Sequence, residues 1–174
     1  SEHPYKINTG GSHRITIRNI ELLRKDQKDF DLAVDKARFL RAFEQICIGA
    51  IENDGFNQLV LCAGLDVRQA NLFRAIYVYL KQINFGYSQN FITNTLTSHI
   101  ELSRALFALF EVKFDINNKE HVNAQKSIKN SIIERLEAVS SLDEDRVISG
   151  YLEVIEAMVR TNYYQDNEDY LCFK

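Results

Sequence analysis

Asp66-Val67-Arg68-Gln69-Ala70-Asn71-Leu72-Phe73-Arg74-Ala75-Ile76-Tyr77-Val78-Tyr79-Leu80 is the stretch that decides the fold class. Asp66 can accept the N–H of the residue three positions on while Gln69 reaches back, which is a capping-box start. Leu72, Phe73, Ile76 and Leu80 then recur at three- and four-residue steps, the period of a helix with one apolar face. The pattern predicts a helix to about Ile83, with Gly86 as its stop.

Working outward, the same signals repeat. Upstream, Phe56 to Ala63 reads as a short helix ending at Gly64. Before it, Asp29 can cap a helix to about Asn53, because Leu32, Phe39, Leu40, Phe43, Ile46, Cys47, Ala50 and Ile51 form a periodic stripe expected to face a core. Asn53-Asp54-Gly55 is its expected stop.

Downstream, Ser88 opens a helix through Ile92 and Leu96, and Ile100 to Phe114 carries a second apolar face, the two forming one bent element at Ser98-His99 or two helices. After a polar break at Asp115 to Asn118, Ile128, Ile132, Leu136 and Val139 mark an amphipathic helix. Ser141 and Glu144 form a second capping box, and Ile148, Tyr151, Leu152, Ile155, Met158 and Val159 give the last helix its apolar face, expected to end near Asn162. At the start, Tyr5 to Ile7 and Arg14 to Ile20 flank Thr9-Gly10-Gly11-Ser12, the composition of a β-hairpin.

With one proline, Pro4, and seven glycines in 174 residues, long helices are permitted almost everywhere. The expected fold is therefore mainly α, a bundle-like body of about six or seven helices with a short N-terminal β-hairpin. The domain expectation is a hairpin unit over 1–24, a helical domain over 25–164, and a linker or strand over 165–174.

The net charge of -3 supplies no basic footprint for nucleic acid or an acidic membrane surface. No apolar run approaches the roughly 20 residues that cross a bilayer. Three cysteines, Cys47, Cys62 and Cys172, make an odd count; the first two sit among apolar residues and read as small buried hydrophobes, which points to a cytoplasmic setting. The first residue is Ser1, and Tyr170-Leu171-Cys172-Phe173-Lys174 reads like a strand, so a piece of a longer chain is expected.

The candidates for chemistry have plainer readings. His3, His13, His99 and His121 are scattered without zinc-like spacing. Thr9-Gly10-Gly11-Ser12 precedes a strand, whereas a phosphate cradle needs a helix N-terminus after it. Asp143, Glu144 and Asp145 fit the first turn of a helix, where negative charge offsets the helix dipole. Asn57 to Lys81 resembles a helix-turn-helix in which Arg68, Gln69, Asn71 and Arg74 could read bases, but that helix continues through Ile76, Tyr77 and Leu80 and the net charge is unfavourable. No catalytic, cofactor-binding or metal-binding residue is assigned.

Asp54-Gly55-Phe56-Asn57-Gln58-Leu59-Val60-Leu61-Cys62-Ala63-Gly64-Leu65, with Arg68, Leu72, Arg74-Ala75 and Tyr79-Leu80, resembles the helical region of the large bacterial NAD-specific glutamate dehydrogenases. Ser88-Gln89, Ile92, Thr95-Leu96, His99, Leu109-Phe110, Lys113-Phe114-Asp115, Ser141 to Arg146 and Arg160-Thr161-Asn162-Tyr163 are similar to it in the same order.

The resemblance implies that the hairpin is the tail of an upstream ACT-like domain and that Tyr170 to Lys174 approaches the catalytic domain. The helical body would then be a non-catalytic scaffold or regulatory segment. It implies no cofactor in this stretch and NAD in the full-length oxidoreductase, with the rest of its own chain as partner, a homo-oligomeric assembly, and neither nucleic acid nor membrane. Arg160, Thr161, Asn162 and Tyr163 are the expected inter-domain contact. The alternative is an independent helical interaction module, in its sharpest form a helix-turn-helix that binds DNA.

Overall fold

In the computed structural model the described residues are 2–8, 14–20, 31, 33–114, 121–165 and 170–174, and the chain divides into two units, Ser1–Ala33 and Val34–Lys174. In the first unit, β1 (Glu2–Asn8) pairs antiparallel with β2 (Arg14–Ile20). Tyr5 sits opposite Ile17 and Ile7 opposite Ile15, and alternation puts all four on one exposed face. The expected turn at Thr9 to Ser12 lies outside the described residues.

The second unit contains, among its described residues, α1 (Asp35–Cys47), a 3-10 turn (Gly55–Asn57), α2 (Gln58–Cys62), α3 (Val67–Gln82), α4 (Gln89–Ser98), α5 (Ile100–Phe114), α6 (His121–Leu136) and α7 (Leu142–Ala157). The mainly helical architecture with its short N-terminal hairpin is the expected one. Phe73, Ile76, Ile92, Leu96, Leu106, Phe110, Ile132, Ile148, Tyr151 and Ile155 form its centre, each almost wholly removed from water. Burial of side chains this size stabilises by roughly 1.5–3 kcal/mol apiece before entropy is subtracted. Tyr151 stacks on Phe73 at 5.7 Å between centroids, and its hydroxyl donates to the Phe73 carbonyl at 3.0 Å.

Several expectations change, and one falls where nothing is described. Asp29, the expected cap of the first helix, lies outside the described residues; α1 starts at Asp35 after Val34, which makes no side-chain cap. The α1 stripe does not face a core: Leu40 is 50% exposed, Phe43 is 44% exposed and Cys47 is exposed, while Ala42 alone among its apolar residues is buried, against Val60 and Ala70. Cys62 is half-buried, so neither cysteine is the core filler expected.

The other changes are local. α1 stops at Gly49, which takes a φ of 72°, and not at Gly55. A Cβ on Gly55 would lie 2.6 Å from the Thr93 hydroxyl oxygen, so that glycine is required by close packing. After α3 it is Asn84, with φ 60°, that adopts the left-handed conformation, and not Gly86. α7 ends at Ala157 rather than near Asn162, because Met158 turns extended (ψ 130°) and the chain begins to pair with 170–174, which leaves Val159, expected on the apolar face, exposed.

Candidate functional site at the seam of α3, α7 and the C-terminal strand

The capping box at Asp66 and Gln69 forms as expected, with both bonds at 2.8 Å, and fixes the first turn of α3. Arg68 projects from that turn. Its guanidinium donates to the carbonyls of Tyr163 and, at 3.1 Å, Gln165, and it lies 5.1 Å from the centroid of the Tyr163 ring. That ring is buried against Phe110 and Phe107, with centroids 5.0 and 6.3 Å away. Burial pushes the Tyr163 hydroxyl well above the ordinary tyrosine range, helped by the charge of Asp66 and opposed by Arg68.

The residues expected to meet another domain are brought together here. Arg160 and Lys174 exchange main-chain bonds of 3.3 and 2.9 Å, and Thr161 bridges Phe173 antiparallel. Asn162 is the fastener: its side chain donates to the Tyr170 carbonyl at 2.9 Å and accepts from the Cys172 N–H at 2.7 Å. Thr161 donates to the Cys172 carbonyl at 3.0 Å and accepts from the Tyr163 N–H. The polar side chains of Thr161 and Asn162 thus hold the 170–174 strand of their own chain.

A second constellation lies nearly two turns along α3. Arg74, 9% exposed, grips Asp54 with two bonds of 2.7 Å and also donates to Asn57, Asn71 and the Glu52 carbonyl. Asp54 further accepts from Gln89 and from the Phe56 N–H. The four residues that could have read bases are therefore committed internally: Arg68 to the Tyr163 region, Gln69 to the cap, Asn71 and Arg74 to each other. Sequence reading missed Asp54 as an anchor, although Asn71 and Arg74 at helical i, i+3 spacing face one way.

Two further ties join the helices. The second expected capping box closes only halfway: Ser141 accepts from the Glu144 N–H, but the Glu144 carboxylate meets His99 at 3.0 Å at the break between α4 and α5. Lys113 of α5 donates to the carbonyls of Ile155 and Glu156, capping the end of α7. Partial burial lowers the pKa of Lys113, while Glu156 pulls the other way. Of the remaining histidines, His13 lies outside the described residues, and His3 and His121 outside those whose side chains are described.

Chemically, the seam is a set of satisfied clamps. Among the described residues no buried side-chain nitrogen or oxygen lacks a hydrogen-bond partner, and no group of three or more His, Cys, Asp or Glu could hold a metal. The first turns of α3, α4 and α7 are capped by their own Asp66, Ser88 and Ser141. No described helix is long and apolar enough to cross a membrane.

Comparison with known proteins gives two family matches: glutamate dehydrogenase, helical motif 3, over residues 51–116, and bacterial NAD-glutamate dehydrogenase, catalytic domain, over residues 131–174. Similar curated proteins include the NAD-specific glutamate dehydrogenases of Halomonas elongata (37% identical) and Pseudomonas aeruginosa (33%), each over 99% of this chain and 11% of their own length. That of Mycobacterium tuberculosis is 36% identical over 73% of this chain and 8% of its own. The chain thus spans about a tenth of the length of these relatives. No solved structure matches.

Proposed function

From the premise that this chain belongs to the family of bacterial NAD-specific glutamate dehydrogenases, we propose that it is a non-catalytic scaffold within a larger cytoplasmic enzyme. That enzyme converts L-glutamate to 2-oxoglutarate and ammonia while NAD accepts the hydride. The substrate-polarising groups and the NAD fold belong to the remainder of the full-length protein, which assembles as a homo-oligomer. The hairpin of 1–24 belongs to an upstream regulatory domain of ACT-like kind.

One observation carries this reading: the stretch matched to the helical motif and the stretch matched to the catalytic domain share a single core. Tyr151 of the second stacks on Phe73 of the first; Arg68 holds Tyr163; Glu144 meets His99; Lys113 caps α7. The catalytic-domain match begins at residue 131, inside α6, whereas the helical body is expected to run to 164, so α6 and α7 serve both. A rigid body with two firmly packed faces can fix, or transmit a shift in, the position of a catalytic domain.

Asn162 is the residue of Arg160 to Tyr163 whose side chain holds the C-terminal strand most directly, and the Arg160–Tyr163 group, inside the stretch matched to the catalytic domain, is the proposed contact to the rest of that domain. In the full-length enzyme Asn162→Ala is expected to lower kcat/KM for glutamate or to disturb oligomer size, more than Arg160→Ala. Unchanged kinetics and unchanged mass for both variants reject the contact.

A further inference from the structure

We propose that the outer edge of the 171–173 strand, with the groove beside it, seats a further β-strand supplied by the part of the catalytic domain outside these 174 residues; this rests on the preceding reading of the chain as a segment of a larger dehydrogenase. In an antiparallel pair the main-chain groups alternate between the partner strand and the opposite edge. Arg160 pairs with Lys174, and Asn162 with Cys172. The N–H and C=O of Leu171 and Phe173 therefore face away from 159–163, and they have no partner among the described residues.

The space on that side is shaped to match. A groove of about 570 Å³ is lined by Leu171, Cys172 and Phe173 and by Ala75, Val78 and Tyr79 of α3, with Glu52, Asn71, Arg74 and Gln82 adding polar groups. None of residues 159–163 lines it, and the Phe173 ring lies 5.9 Å from that of Tyr79 on α3. Val78 and Tyr79 are exposed although α3 is otherwise a core helix. An added strand needs an unpaired main-chain edge for affinity and a groove for alternate side chains, and among the described residues Leu171 and Phe173 offer the first beside a groove of mixed polarity. Main-chain N–H groups without partners on half-buried residues such as Leu171 and Phe173 cost free energy that such a strand would recover.

The occupant is a segment of the same chain because the catalytic-domain match includes this strand through residue 174, while about nine-tenths of the length of the relatives lies outside the sequence. A tethered strand also reaches the edge at a far higher effective concentration than a free partner.

The test is residue-resolved hydrogen exchange on the full-length enzyme, with its glutamate-oxidising activity measured in parallel. The Leu171 and Phe173 amides are expected to exchange at least ~100-fold more slowly than unprotected peptide. Phe173→Ala, which keeps the N–H, should leave Leu171 protected, whereas Phe173→Pro, which removes it, should speed exchange at Leu171 by ~10-fold or more. Free exchange at both amides in an enzyme that oxidises glutamate overturns this inference alone. Protection that vanishes when the oligomer is diluted to single subunits assigns the edge to a second copy and overturns it too. Lack of glutamate oxidation strikes the preceding reading instead, since exchange is read without turnover.

Discussion

α1 and α3 carry the same kind of apolar period, yet the stripe Leu72, Phe73, Ile76 and Leu80 of α3 is sealed into the core and that of α1 leaves Leu40 and Phe43 half in water. The difference lies in what anchors each helix. α3 starts at a closed capping box and is gripped from the side by Asp54 through Arg74, whereas α1 follows Val34 without a side-chain cap and buries mainly Ala42. Periodicity fixes that a helix forms and which residues share a face; it does not fix what that face meets.

The largest expected effect is on the anchored side. Arg74→Ala leaves the Asp54 carboxylate, only 13% exposed, without its cation, and loss of about 3–5 kcal/mol in denaturant unfolding is expected. A loss under about 1 kcal/mol would mean that Gln89 and the Phe56 N–H suffice for Asp54, and that α3 is not held by charge.

Tyr151→Phe should cost less, about 1 kcal/mol, by removing the bond to the Phe73 carbonyl. It carries a second signature at high pH. Burial raises the pKa of Tyr151 well above its ordinary value, so the folded state keeps the proton that the unfolded chain releases near pH 10. Stability from this group is complete below that pH and falls above it, by up to about 1.4 kcal/mol per pH unit. Tyr163 acts in the same direction. The alkaline fall should be shallower in Tyr151→Phe; an equally steep fall would place the titration elsewhere.

The smallest effect belongs to α1. Leu40→Ala is expected to cost less than about 1 kcal/mol, because half the side chain is already in water and alanine favours the helix. A loss as large as that of Arg74→Ala would show the α1 face to be covered, and the contrast between the two helices would fall.

Sequence reading succeeded where the cause is local. Asp66, Ser88 and Ser141 each accept from an N–H three residues on, so these helix starts were legible without tertiary knowledge. It failed where the partner is distant. Arg68 meets Tyr163 and Gln165 across 95 and 97 positions, Glu144 leaves its own cap for His99 across 45, and the end of α7 is decided by strand pairing with 170–174. Arg160 to Tyr163 were legible as a polar junction, but that Thr161 and Asn162 fasten their own chain depends on main-chain groups that no side-chain pattern reveals. Gly55 and Gly49 show the same limit, since one serves packing and the other a left-handed turn, and composition alone cannot tell them apart.

The claim beneath all of this is that the described residues of 51–114 and 131–174 fold as one body. Native-state hydrogen exchange across a denaturant series measures it directly, on the full-length enzyme, by comparing amides at Ile76 in α3 and Ile155 in α7. One shared core requires both to merge into a single opening of equal free energy and equal denaturant slope. Release of α7 amides at distinctly lower free energy, with α3 still closed, would contradict it.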